Sequence, residues 1–132
     1  MDTIRVSAGI IVHDGMLLIA KRRPTAVLPN AWVLPGGRVE EHETPEACLK
    51  RELKEEFAIG VTVHERVGSH VHTYDFGTVE LIAFRADWDD GDFNSREHEE
   101  IRWAFPHELD QFNFAPADHA VIQRIMSGDI DI

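Results

Sequence analysis

Residues 37–59 read G-R-V-E-E-H-E-T-P-E-A-C-L-K-R-E-L-K-E-E-F-A-I, a glycine turn followed by a single helix whose start is marked by Thr44-Pro45. Threonine suits the N-cap, and proline suits the first helical position, where its missing N–H costs nothing. Good helix formers carry the helix to about Phe57. At about 100° per residue, Glu52, Glu55 and Glu56 share an arc of roughly 100°, while Leu49, Leu53 and Phe57 occupy the adjoining arc. A fold containing this helix must lay the apolar arc on a core and leave three carboxylates along one rim.

Like charges at i, i+3 and i+4 repel by a few tenths of a kcal/mol per pair. A divalent cation offsets that repulsion, and hard oxygen ligands of this kind suit Mg²⁺, with Mn²⁺ as a substitute, bound together with substrate phosphates. The alternative is a solvated acidic face balanced by Lys50, Arg51 and Lys54.

On the helix alone both readings stand, and what favours the first is a resemblance carried by a longer pattern. The pattern G-x5-E-x7-R-E-U-x-E-E-x-x-U, with U aliphatic, is met at Gly37, Glu43, Arg51, Glu52, Leu53, Glu55, Glu56 and Ile59. This segment resembles the Nudix box of the Nudix hydrolases. Ala58 stands where the family usually has a glycine that eases a left-handed turn; alanine at positive φ costs roughly 1 kcal/mol, and Gly60 offers a turn two residues further on.

A chain of 132 residues with 43% hydrophobic content suits a single domain, 1–132. No signal-like segment and no run of about 18 apolar residues stands out, so a cytoplasmic protein is expected. The single Cys48, on the glutamate arc, reads as a small packed residue rather than a thiolate ligand. A formal charge of −11 argues against non-specific nucleic-acid binding and against an anionic membrane. A nucleotide substrate remains compatible if a bound cation neutralises both glutamates and phosphates. Monomer and homodimer are both open.

Residues 4–13 and 16–20 form a predicted hairpin around Asp14-Gly15. A loop at 24–31 and an extended stretch at 32–35 lead to the double glycine. Strands are predicted at 61–75, 79–88 and 101–105, a turn-rich stretch at 89–95, and a closing helix at 117–126 with Val121, Ile122 and Ile125 as its buried face. The resemblance implies an α+β fold, an α/β/α sandwich with a mixed β-sheet between helices.

The resemblance is strongest to the MutT-like branch, which hydrolyses nucleoside triphosphates to monophosphate and pyrophosphate. Ala8-Gly9-Ile10-Ile11, Lys21-Arg22-Arg23, Trp32-Val33-Leu34-Pro35-Gly36-Gly37 and Ala115-Pro116-Ala117-Asp118 carry it in order. It implies Glu52, Glu55 and Glu56 as Mg²⁺ ligands, a backbone carbonyl ligand at Gly36 or Gly37, and a further glutamate best matched by Glu97, with Glu99 or Glu100 as substitutes. Glu52 or Glu97 is the implied base that activates water, and Glu43 and Arg51 are expected to brace the loop against the helix.

Arg22 is the candidate polyphosphate contact, since a guanidinium suits oxyanions; Lys21 and Arg23 read equally as surface charges. Asp118 matches the residue that reads the nucleobase edge, with an N-cap of the closing helix as its structural alternative. Leu34, Phe112 and Phe114 are candidate walls for the ring, or core. Oxidised guanine and cytosine-type nucleotides are the favoured substrates. The rivals are a Nudix pyrophosphatase for ADP-ribose, nucleotide sugars or dinucleotide polyphosphates, and a non-catalytic nucleotide-binding regulator. His70 and His72 share a strand face without implying a metal, and Tyr74 carries no signal.

Overall fold

Ile10 and Ile11 in the first strand, and Leu17, Leu18, Ile19 and Ala20 in the second, are all buried, so both faces of these strands are covered. The computed structural model describes residues 3–92 and 98–132. Its elements are β1 (Ile4–His13), β2 (Met16–Arg22), β3 (Trp32–Val33), β4 (Gly36–Arg38), α1 (Pro45–Phe57), β5 (Gly60–Tyr74), β6 (Gly77–Asp90), β7 (His98–Ala104), a 3-10 turn (Pro106–Gln111) and α2 (Pro116–Met126). Among the described residues no helix is long and apolar enough to cross a membrane.

The strands form a mixed sheet in the order β3-β2-β1-β6-β5, with β7 beside β2 and β4 beside β1. Asp14 and Gly15 both take positive φ, 53° and 78°, the geometry of a tight hairpin between β1 and β2. β1 runs parallel to β6 from Ile4↔Val79 to Ile11↔Ala86. Its opposite edge is shared, pairing with β4 at Val6↔Arg38 to Ala8↔Gly36 and with β2 only at Val12↔Leu17 and His13↔Met16. The sheet therefore opens between β4 and β2, beside α1.

Strand alternation divides the core in two. Ile10, Leu17 and Ile19 pack with Val121, Ile122 and Ile125 of α2. Ile11, Leu18 and Ala20 pack with Leu49, Leu53 and Phe57 of α1. Each large apolar side chain so buried contributes on the order of 1.5–3 kcal/mol. Helices thus flank a mixed sheet, as expected.

Several predicted boundaries shift. β2 extends to Arg22, β5 and β6 each begin earlier than expected, and β6 runs to Asp90, two residues into the predicted turn-rich stretch. The double glycine is not a free turn: it is the short strand β4, held on β1. A 3-10 turn, Pro106–Gln111, joins the last strand to the closing helix.

The helix caps follow the sequence. Thr44 accepts from the Ala47 N–H at 3.1 Å, and Pro45 takes the first turn. At the C-terminus Ala58 adopts φ 60° and ψ 32°, donating to the Lys54 carbonyl, while the Ile59 N–H reaches the Leu53 carbonyl. The left-handed turn therefore stays at Ala58. Gly60 serves another need, since a Cβ there would lie 2.5 Å from an Asp90 carboxylate oxygen. Ala58→Gly relieves the strain, and thermal unfolding is expected to show a gain of about 0.5–1 kcal/mol. An unchanged or lowered midpoint would contradict it.

Candidate active site

Two glycines set the geometry where β4 meets α1. A Cβ on Gly36 would lie 1.9 Å from the Ser7 carbonyl oxygen, so only glycine lets β4 approach β1 this closely. A Cβ on Gly37 would lie 2.3 Å from the Glu52 carboxyl carbon. The Glu52 carboxylate thus rests directly over the β4 backbone. Buried Ser7 donates to the Pro45 carbonyl at 2.7 Å, tying β1 to the start of α1.

The three rim glutamates differ in exposure. Glu52 is buried, Glu56 is half-buried and Glu55 is exposed. Arg51 lies among them. It donates bidentately to Glu43, from Nε at 2.6 Å and Nη2 at 2.9 Å, and from Nη1 to Glu52 at 2.9 Å and Glu55 at 3.1 Å. Nη2 also reaches the Arg38 carbonyl at 3.2 Å, linking the helix to β4. The Arg51 guanidinium, with the Glu40 N–H behind it, holds the Glu43 carboxyl down at about 2. The carboxylates raise the Arg51 pKa in turn. Cys48 is buried, its thiol donates to the Gly37 carbonyl at 3.4 Å, and burial pushes its pKa up to about 11. It is a free, packed thiol.

Arg51 faces carboxylates of Glu40, Glu43, Glu52 and Glu55 within 4 Å, so negative charge is in excess here. Among the described residues no three His, Cys, Asp or Glu groups stand close enough to enclose a cation, because Glu52 and Glu55 lean on Arg51. The donor set nevertheless fits a hard divalent ion: carboxylate oxygens in excess, and a Gly37 cradle that any Cβ would fill. Gly37→Ala is expected to push the Glu52 carboxylate off β4 and reduce kcat by about tenfold or more, with a smaller change in unfolding midpoint. Wild-type turnover in that variant would show that Glu52 does not need this position.

Beside this rim opens a cleft of about 520 Å³. It brings together Arg22, Leu34, Gly36, Gly37, Glu56 and Asp118, residues far apart in sequence. Arg22 donates from Nε to the Val27 carbonyl, holding the loop 24–31. Asp118 is buried and accepts the Leu34 N–H at 2.9 Å. Burial pushes its pKa up to about 7, although the Leu34 N–H and Arg22 favour the anion. Asp118 is not the N-cap of α2: Ala115 holds that position and Asp118 sits in the first turn.

Phe112 and Phe114 do not line the cleft. Phe112 packs edge-on against Trp32 at 4.9 Å, and Phe114 is buried in the core. The apolar wall instead comes from Ile4 and Val6 of β1, Val79 and Leu81 of β6, and Tyr74 and Phe76 around the β5–β6 turn. The i, i+2 spacing of Ile4 and Val6 was a usable signal, since they share a face with buried Ala8. Tyr74 had no local signal. Lys21 and Arg23 do not line the cleft. Glu97 lies outside the described residues, as do the side chain of Glu99 and residues 93–95 of the turn-rich stretch. Glu100 accepts from Arg102 at 2.7 Å.

A carboxylate rim over a glycine strand thus stands next to a mixed polar and apolar cleft. The NUDIX domain family model matches residues 3–125. The chain is 35% identical to the CTP pyrophosphohydrolase of Escherichia coli over 127 residues, covering 96% of this chain and 94% of the relative. It is 37% identical to a putative 8-oxo-dGTP diphosphatase 2 of Mycobacterium tuberculosis over 120 residues, 89% of this chain and 84% of that one. The solution structure of the E. coli ORF135 protein superposes with a TM-score of 0.83 at 34% identity, covering 98% of this chain and 92% of that one. The chain belongs to the Nudix family and is a hydrolase of its MutT-like branch. Members of this family typically use a divalent metal.

Proposed function

We propose that this protein hydrolyses a nucleoside triphosphate to the monophosphate and pyrophosphate with Mg²⁺, Mn²⁺ substituting, and that its preferred base is cytosine or an oxidised guanine. The observation that carries the reading is the convergence of Glu56, Gly36, Gly37, Arg22 and Asp118 on one cleft. The relatives named for CTP and for 8-oxo-dGTP support the same substrate class.

In this reading Glu52, Glu55 and Glu56, with the carbonyl of Gly36 or Gly37, hold the cation. When bound, the cation neutralises phosphate charge and makes water a stronger nucleophile at neutral pH. Arg22 binds polyphosphate oxygens. Glu52 or Glu97 accepts the proton of the attacking water as a new P–O bond forms and the α–β anhydride bond breaks, releasing pyrophosphate. Glu43 and Arg51 brace the loop after β4 against α1.

Asp118 reads the base edge. Ionised, it only accepts hydrogen bonds, which suits a cytosine amino group or a guanine N1–H with its amino group; protonated, it also donates. With its pKa pushed up to about 7, it supplies both forms near neutrality.

Metal dependence tests the chemistry. Pyrophosphate release is expected to stop with EDTA and return with Mg²⁺ or Mn²⁺. Hydrolysis that survives chelation would contradict the reading, and nucleotide binding without turnover under any metal would identify a binding regulator.

A further inference from the structure

The first turn of α2 has no side-chain cap of its own. Its N-cap is Ala115, whose side chain offers no acceptor, and Pro116 has no N–H to give. The missing acceptor comes from another element. The Ala117 N–H donates to the Tyr74 hydroxyl oxygen at 3.0 Å, across 43 residues of sequence. The Tyr74 ring lines the cleft and stacks on Phe76 at 5.0 Å with the planes 7° apart, so the phenol is held from both ends. Asp118 is the next residue along α2, and its carboxylate is fixed on the other side by the Leu34 N–H.

We propose that Tyr74 is a positioning residue for Asp118: its hydroxyl caps α2 from β5 and so sets where the Asp118 carboxyl meets the nucleobase. The inference rests on the reading of Asp118 as the base contact. Burial and the neighbouring Asp118 raise the phenol's pKa, so it stays protonated at neutral pH with a lone pair available to Ala117. Without that acceptor the α2 N-terminus loses an anchor beside the cleft, and the Asp118 carboxyl, held by the Leu34 N–H and by its own backbone N–H, shifts with the helix end.

The test is a double-mutant cycle of Tyr74→Phe and Asp118→Asn, read as KM, kcat and the ratio of kcat/KM between preferred and non-preferred triphosphates. Phenylalanine keeps the ring on Phe76 and removes only the hydroxyl. Tyr74→Phe is expected to raise KM about fivefold and to narrow the base preference, with kcat within about twofold. In the Asp118→Asn background the same change is expected to move KM by less than about twofold. KM and the preference ratio do not depend on the folded fraction, so partial unfolding cannot mimic the result. An unchanged KM in Tyr74→Phe, or an equal factor in both backgrounds, would overturn the proposal. Asp118→Asn alone leaving KM and preference unchanged would instead show that the base contact is misassigned, and would overturn both.

Discussion

Glu56→Gln is expected to lower kcat by about 10²–10³ while changing nucleotide affinity by less than about fivefold. Glu56 is the one rim glutamate that also lines the cleft, so its charge lies where phosphate and cation meet in the proposed site. Glutamine keeps the volume and the helix propensity and removes only the charge. Glu52 and Glu56 repel at i, i+4, and the substitution relieves that repulsion, worth a few tenths of a kcal/mol. The loss is then one of chemistry, not of fold. Single-turnover hydrolysis beside calorimetric nucleotide binding checks it. Activity within about tenfold of wild type would remove Glu56 from the reaction.

The second large effect is on stability. Asp118 has a folded-state pKa raised from 3.8 to about 7, chiefly by burial. Between those values the folded protein holds a proton that the unfolded chain has lost, so stability is fullest below about pH 4, falls as pH rises, and levels off above about 7. Asp118→Asn keeps an oxygen for the Leu34 N–H and has no proton to lose. Its stability relative to wild type is therefore expected to rise by on the order of 4 kcal/mol from pH 4 to pH 7, and to stay level beyond. Glu43, lowered to about 2 by Arg51, acts with the opposite sign: its contribution is present above about pH 4.5 and lost as pH falls toward 2. It is common to both proteins and cancels. Urea unfolding across this range measures the difference, and parallel curves would mean that Asp118 is not buried as a neutral acid.

The helix was legible because its signals are local. Thr44-Pro45 marks its start, the four-residue spacing of Leu49, Leu53 and Phe57 marks its buried arc, and the box spacing marks the glutamates. The β1–β2 hairpin was legible for the same reason, since Asp14-Gly15 supplies the turn within the strands' own sequence. What escaped depends on contacts across many residues. The parallel pairing of β1 with β6 joins Ile4 to Val79, and nothing local announces it. Only that pairing turns Ile4, Val6, Val79 and Leu81 into a cleft wall. Tyr74 looked neutral because its partner, Ala117, lies on the final helix. Phe112 and Phe114 stayed open between cleft wall and core for the converse reason: aromatic residues near a motif are as apt to fill a core as to face a ligand, and here Trp32 takes Phe112. The engagement of Glu52 and Glu55 by Arg51 was equally invisible, since the wheel gives direction but not which rotamer an arginine selects.

The central claim is tested most directly by kcat/KM with Mg²⁺ across canonical, oxidised and methylated nucleoside triphosphates, ADP-ribose and a dinucleotide polyphosphate, with products resolved by chromatography. The predicted result is monophosphate plus pyrophosphate, with a cytosine or oxidised guanine triphosphate preferred by about tenfold or more. Release of orthophosphate alone, or cleavage confined to ADP-ribose or the dinucleotide, would contradict it.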